Sequence, residues 1–407
     1  MPSVINAAAL GPRFQAVLAS AWISKHAAAK YVQDYVRRVQ AESKSSSAAT
    51  TREPIAFAPP IQVQVLNVSE EGGSAAYESL EAVNGGEDSL FHARIKQNLV
   101  YGVADGVGGW NESGVDPSIF SRSLTAYSAE AAQRTFLLHD SDEADPKDIM
   151  RRAFAGMRLD AVPAYGSATE LVMSLSLASG RLRTAQLGDS TYVVLDDQQR
   201  AKFVAAEQQH RFNMPYQLTI PPIDGFTGSE EPRSEESAQF FRPRSPQDEG
   251  DSAAAKEARR LVDEDDFVDL SAVGFDTPAD AREDAHTLAH NEVVVAATDG
   301  LFDNVRVEEV ERLAERFMQA IGAKQQKQQP QASAADLFGG LAYSVAAQAV
   351  ANYIQHDLRS PFAERAKLAG YSFSGGKPDD VTVMLAWVRE TARVHAEEKI
   401  REMQPKL

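Results

Sequence analysis

The sequence predicts an antiparallel α+β fold, and two observations carry that expectation. Apolar runs with strand spacing come in hairpin-like clusters, and helical runs follow them without regular strand–helix–strand alternation. No segment repeats internally. At 407 residues, 43% of them hydrophobic, the chain is long enough to bury a sizeable core.

Taken in order, the first 50 residues read as an address. Arg13, Lys25, Lys30, Arg37 and Arg38 are interleaved with Ala, Ser and Val, and no acid appears before Asp34. That composition belongs to an organelle-import presequence, with a plain helical or disordered arm as the alternative. Residues 1–56 are assigned to presequence and linker, the linker lying in the Ser/Ala/Pro-rich stretch Glu42–Pro60. Ile61–Val68 alternates apolar with polar, a half-buried strand, and Asn98–Asp105 is a second strand ending in turn residues. Asp116-Pro117 and Asp145-Pro146 each place an N-cap before a proline at the first helical position.

Leu171–Ala178, Leu182–Leu187 and Thr191–Leu195 read as strands, with Ser179-Gly180 turning between the first two. Pro222 to about Asp284 is polar and acidic, an inserted surface loop at about 223–284. Val293–Thr298 is a buried strand, and Val310, Leu313, Phe317 and Ile321 mark a helix after it. Lys324–Gln331 is a Gln/Lys-rich loop tip within 323–332. Ser333 with Asp336 forms a capping box for the next helix. Ser360-Pro361 opens a short helix closed by Gly370, and Val381–Val388 is the last strand. The folded domain is expected over 57–390, with a tail at 391–407.

Composition excludes several function classes. The net charge is −17, and Ser229–Ala285 carries seventeen acidic against seven basic residues. A nucleic-acid partner is not expected of such a chain. Cysteine is absent, so there is no disulfide framework, thiolate zinc site or cysteine nucleophile. His286 and His290 stand four apart without the glutamate of a zinc-protease pair, and read as surface residues. No apolar run reaches the roughly 18 residues of a membrane span. Any metal must be held by oxygen, which favours Mg²⁺ or Mn²⁺.

The chemistry lies in acids at the ends of apolar strands. Glu87-Asp88 follows Gly85-Gly86, Asp105 ends one strand, Asp189 another, Asp299 ends Val293–Thr298 with Asp303 beyond it, and Asp379-Asp380 opens the last strand. A single Asp-Gly pair is usually a hairpin turn. Several strands that each end in an acid can instead converge on one point, and glycine beside the acid lets backbone and cation approach closely. Two cations about 3.5–4 Å apart can activate a water and clamp a phosphoryl group.

Ala104-Asp105-Gly106-Val107-Gly108-Gly109-Trp110 resembles the Asp-Gly-His-Gly-Gly motif of the type-2C metal-dependent protein phosphatases. Ala297 to Asp303 resembles that family's second Asp-Gly motif, and Lys377-Pro378-Asp379-Asp380-Val381-Thr382 its Asp-Asn-x-Ser/Thr motif. Gly188-Asp189-Ser190 and Gly166-Ser167-Ala168-Thr169 are similar to two further signatures, in the family's order. Glu207 to Asn213, with Pro215, Gln217-Leu218 and Ser360 to Ala363, resembles the mitochondrial branch.

The resemblance implies a sandwich of two antiparallel sheets flanked by helices, and hydrolysis of phosphoserine and phosphothreonine on proteins, in the mitochondrial matrix, by a water bridging two Mn²⁺ or Mg²⁺ ions. Asp105, Asp299 and Asp379 would be the catalytic set. Glu87 (or its neighbour Asp88), Asp105, the Gly106 carbonyl, Asp299 and Asp379 would ligate the two metals, and Asp189 and Asp303, with Asp299, would match a third site found in some members. The sequence departs from the family in three places: Val107 replaces its histidine, Val83 stands at its phosphate-binding arginine, and Asp380 replaces its asparagine. His210 and Arg211 are candidates for acid and phosphate contact, against the plainer reading of a structural loop. A catalytically silent regulator with the same fold is the competing function. The sequence leaves oligomeric state open.

Overall fold

Val293, Val295 and Ala297 face one way along their strand and Val294 and Ala296 the other, and all five are buried. A strand buried on both faces must lie inside a layered structure. The computed structural model describes residues 13–44, 56–68, 85–138, 143–163, 165–222, 274–326 and 333–396.

Two antiparallel sheets pack face to face. One is ordered β2(Gln62–Val68), β1(Phe14–Ile23), β14(Val381–Glu390), β13(Val293–Ala297), β7(Thr191–Leu195), β8(Ala201–Val204). The other runs β12(Arg282–Thr287), β6(Arg181–Leu187), β5(Gly166–Ser176), β4(Asn98–Gly106), β3(Asp88–Ile95), with β11(Leu218–Ile220) added to β5. β9(Gln209–Arg211) and β10(Met214–Pro215) form a small separate hairpin.

Between the sheets lies a core that includes Leu18, Tyr101, Met173, Tyr192 and Met384. Outside the first sheet pack α5(Val307–Gln326) and α6(Ala334–Tyr353) through Val310, Phe338, Leu341 and Val345. Outside the second pack α2(Pro117–Leu138) and α3(Pro146–Asp160) through Phe120, Leu124, Ile149 and Phe154. The α-β-β-α sandwich is therefore as expected. Asp145 caps α3, and Ser333 with Asp336 boxes the start of α6. α1(Lys25–Lys44), the single turn α4(Asp299–Phe302) and α7(Pro361–Leu368) are further helices, and residues 391–396 after β14 are helical as well. No helix there is long and apolar enough to cross a membrane.

Two boundaries move. Residues 14–23, expected in a presequence, form a buried strand paired to β14 from Phe14↔Glu390 to Ile23↔Val381, and to β2 on its other side. The folded unit therefore includes residues 14–23 and does not start at residue 57. Its strand signal is hidden because both faces are buried and many residues are small (Ala16, Ala19, Ser20, Ala21), so no polar alternation appears. The acidic insertion also ends early: Arg282–Thr287 is β12, paired to β6. Its stretch 223–273 lies outside the described residues, as do Val83 and most of the Gln/Lys-rich loop. His286 sits on β12, where its Nε2 meets the Tyr192 hydroxyl at 2.8 Å.

Candidate metal centre

Antiparallel pairing brings the ends of β1, β4, β6 and β13 and the starts of β3, β5, β7 and β14 to one end of the sandwich. Asp88 lies opposite Asp105, which lies opposite Thr169. The Gly106 N–H donates to the Glu87 carbonyl at 3.0 Å, holding those loops together. Asp299 and Asp303 lie a turn apart, the Asp303 N–H donating to the Asp299 carbonyl at 2.8 Å. Gly300 is required here, because a Cβ would collide with the Asp380 carbonyl. Asp299, Asp303 and Asp379 each offer a carboxylate oxygen within 4.8 Å of the others. Asp105 lies within hydrogen-bonding reach of Asp299.

Lys25, the first residue of α1, joins Glu87 to this group: its Nζ is 2.8 Å from Glu87 Oε2 and 3.9 Å from Asp379 Oδ1. Asn111 Nδ2 donates to Glu87 Oε1 at 2.7 Å. Asp380 clamps three segments, accepting from the backbone N–H of Lys25 at 2.6 Å and of Glu87 at 2.7 Å. Gly86, at φ 78°, has no room for a side chain against that carboxylate.

The remaining predicted residues divide. Asp189 is buried and accepts from Gln209 Nε2 at 3.1 Å. His210, the next residue on β9, turns to Asp276 at 2.9 Å and stacks on Tyr216 with ring centroids 4.0 Å apart. Arg211 is exposed. The hairpin thus aims Gln209 at the acids and His210 toward the packed loop around Asp276. Val107, at the histidine position, donates its N–H to the Ser167 carbonyl and offers no proton from its side chain.

The electrostatics are those of crowded acids. Burial pushes Asp105 well above the usual carboxylate range, and the charges of Asp88, Asp299, Asp379 and Asp189 add to it. Burial also raises Asp379 to about 6, with Asp299 adding to the shift. Asp299 goes the other way: burial opposes its ionisation, but the Lys377 ammonium beside it holds it low. Asp299 Oδ1 and Asp88 Oδ1 are buried with no hydrogen-bond partner. Orphaned carboxylate oxygens among mutually repelling acids fit a hard divalent cation, and an all-oxygen donor set suits Mg²⁺ or Mn²⁺.

Lys377, Arg365, Gln209, Lys25 and Asn111 were not among the sequence-predicted residues. Lys377 and Gln209 lie within segments that resemble family motifs, but contacts with Asp299, Asp303 and Asp189 elsewhere in the chain bring them into the site, as contacts with Glu87, Asp303 and Glu207 bring Lys25, Asn111 and Arg365. Asp380 was visible as one of the acids opening the last strand and as a departure from the family pattern.

No protein-family profile matches the chain. Over 312 residues it is 32% identical to the protein phosphatase PTC7 homolog of Xenopus laevis, covering 75% of this chain and 82% of that one. The chain belongs to the PTC7-type protein phosphatase family. The human PTC7 homolog is likewise 32% identical over 309 residues, covering 75% of this chain and 80% of its own. The 5-azacytidine resistance protein azr1 of Schizosaccharomyces pombe is 28% identical over 305 residues, covering 75% and 82%. Among solved structures, the photosystem II phosphatase PBCP superposes with a TM-score of 0.50 at 23% identity, over 75% of this chain and 93% of its own, a likeness of fold. Membership bears out the type-2C resemblance read from the motifs. This PTC7-type chain is a protein phosphatase.

Proposed function

We propose that this phosphatase removes phosphate from phosphoserine and phosphothreonine of mitochondrial proteins, using two Mn²⁺ or Mg²⁺ ions held by Asp105, Asp299, Asp379, Glu87 and the Gly106 carbonyl. The observation that carries the reading is that Asp299 and Asp379 lie close enough to buried Asp105 for their charges to act on it, while one Asp299 oxygen is buried without a hydrogen-bond partner. When bound, such ions supply Lewis acidity toward a phosphoryl group and an activated water. Asp380 holds the Lys25 and Glu87 backbones in register with Asp379. Lys25 stands at the rim with its side chain 40% exposed, so its ammonium can meet a phosphoryl oxygen in place of the arginine that the family carries at the Val83 position. With Val107 inert, the leaving alkoxide takes its proton from solvent.

The test is phosphopeptide turnover in Mn²⁺. Asp105→Asn should lose more than about a hundredfold, since even residues behind metal ligands cost 10–100-fold. EDTA should abolish wild-type turnover, and thiol reagents should leave it unchanged. Equal activity of wild type and variant would refute the assignment. No manganese binding at millimolar concentration would favour the silent regulator.

The basic, acid-poor start and the family branch support a matrix location. Because β1 is central to its sheet, any leader removed on import must end before Phe14. N-terminal sequencing of the imported protein should therefore begin at or before Arg13, and a mature form beginning after Ile23 would contradict this.

A further inference from the structure

Asp303 looks like a metal ligand by type, burial and proximity to Asp299 and Asp379. Its oxygens say otherwise. Oδ1 is paired with Arg365 and Oδ2 accepts from Lys377 Nζ at 2.7 Å. The same ammonium lies 2.5 Å from Asp299 Oδ2 and 3.0 Å from Asp379 Oδ2. Asp303 thus has both oxygens taken, whereas Asp299 keeps Oδ1 free for another cation.

Lys377 is held in this position from several sides. Asn304, buried in the core, accepts from the Lys377 N–H at 2.9 Å and donates to its carbonyl at 2.8 Å. Asn352 Nδ2 in turn donates to the Asn304 carbonyl at 2.9 Å. The Phe362 ring lies 5.1 Å from the ammonium, and the side chain is 17% exposed. Arg365 is braced as well, its Nη1 lying 3.4 Å from Glu207. An ammonium with a pinned backbone, an aromatic face and three carboxylates is a built counter-ion.

We infer that Lys377 and Arg365 are resident cations that take the place of a third divalent ion, so that the centre holds two ions on its Asp105 side and none on Asp303. The inference rests on the two-ion reading above. It assigns Lys377 a positioning role: it occupies Oδ2 of Asp299 and of Asp379, leaving Asp299 Oδ1 unpartnered and Asp379 Oδ1 with the Asp380 N–H at 3.0 Å and the Lys25 ammonium at 3.9 Å. It also replaces the expectation of a third site at Asp189 and Asp303.

The test is manganese titration of the full chain by calorimetry and equilibrium dialysis, with manganese anomalous scattering from crystals. Wild type should take two ions per chain up to millimolar Mn²⁺, with no manganese bonded to Asp303 and Lys377 Nζ still beside it. Lys377→Met should take a third ion at the vacated position, at least about tenfold tighter than any third ion on wild type, because a unit positive charge at contact distance has gone. If that variant does not fold, the wild-type diffraction decides alone. Manganese on Asp303 of wild type, with Lys377 swung away, overturns the inference while leaving the two-ion reading intact. A folded Lys377→Met with unchanged stoichiometry also overturns it. No manganese anywhere sinks both.

Discussion

The two sides of the acid cluster are completed in opposite ways. On the Asp303 side, Arg365 and Lys377 satisfy both oxygens, and the network closes on itself. On the Asp105 side, the strongest influences after burial are four more carboxylates, and one oxygen each of Asp88 and Asp299, Oδ1, has no donor. Proximity of acids therefore does not by itself identify ligands. The oxygens left over after the protein's own cations have been placed do.

The contrast gives opposite signs for two similar substitutions. Asp105→Asn, which should abolish turnover, should leave metal-free stability unchanged or higher, because it removes a buried repelling charge. Asp303→Asn should lower metal-free stability by about 2–4 kcal/mol, since it strips two cations of a buried partner. Denaturant unfolding in EDTA reads both, and equal effects would erase the distinction. Asp380→Asn replaces two acceptor oxygens by one, leaving the Lys25 or Glu87 N–H unpaired. It should cost about 1–3 kcal/mol of stability and weaken manganese binding roughly tenfold or more.

Glu170 offers a third kind of buried acid, accepting from the Ser128 hydroxyl, with no cation in contact among the described residues. Burial pushes its pKa up to about 8 from an ordinary 4.5. The folded state then holds a proton that the unfolded state releases. The stabilising effect is complete below 4.5 and is lost as pH rises toward 8, at most about 1.4 kcal/mol per pH unit. Glu170→Gln should flatten that slope in melts between pH 5 and 8 and gain most in relative stability at the alkaline end. A parallel pH profile would contradict the assignment. The smallest effect is expected of Lys25→Met: a KM for phosphopeptide raised roughly three- to tenfold with kcat changed less, because the ammonium is partly solvated. A fall in kcat alone would place Lys25 behind Glu87 and not on the phosphate.

Legibility in the sequence follows the range of the interaction. The caps at Asp145, Ser333 and Ser360 were readable because a cap is made within three residues. The acids at strand ends were readable because an apolar run followed by Asp-Gly is a local pattern. β1 was not, since its partners β2 and β14 lie about 40 and 360 residues away in the chain and its small buried residues mimic a leader. His210 was a candidate acid by residue type, but strand alternation turns it from the acids and presents Gln209 instead. Lys377 stood in the sequence as the residue that opens the Asp379 motif, and Asn304 and three carboxylates define its surroundings.

By itself, then, the order of residues determined the strand and helix inventory of most of the domain, the oxygen-only chemistry and the acids that carry it. Those depend on side-chain type and on neighbours a few bonds away. Tertiary structure alone decided which oxygens are spent on internal cations, that residues 14–23 belong to the fold and which residue of β9 reaches the acids. Charge pairing and burial act through space, and the groups concerned are brought together only when segments hundreds of residues apart pair at one end of the sandwich.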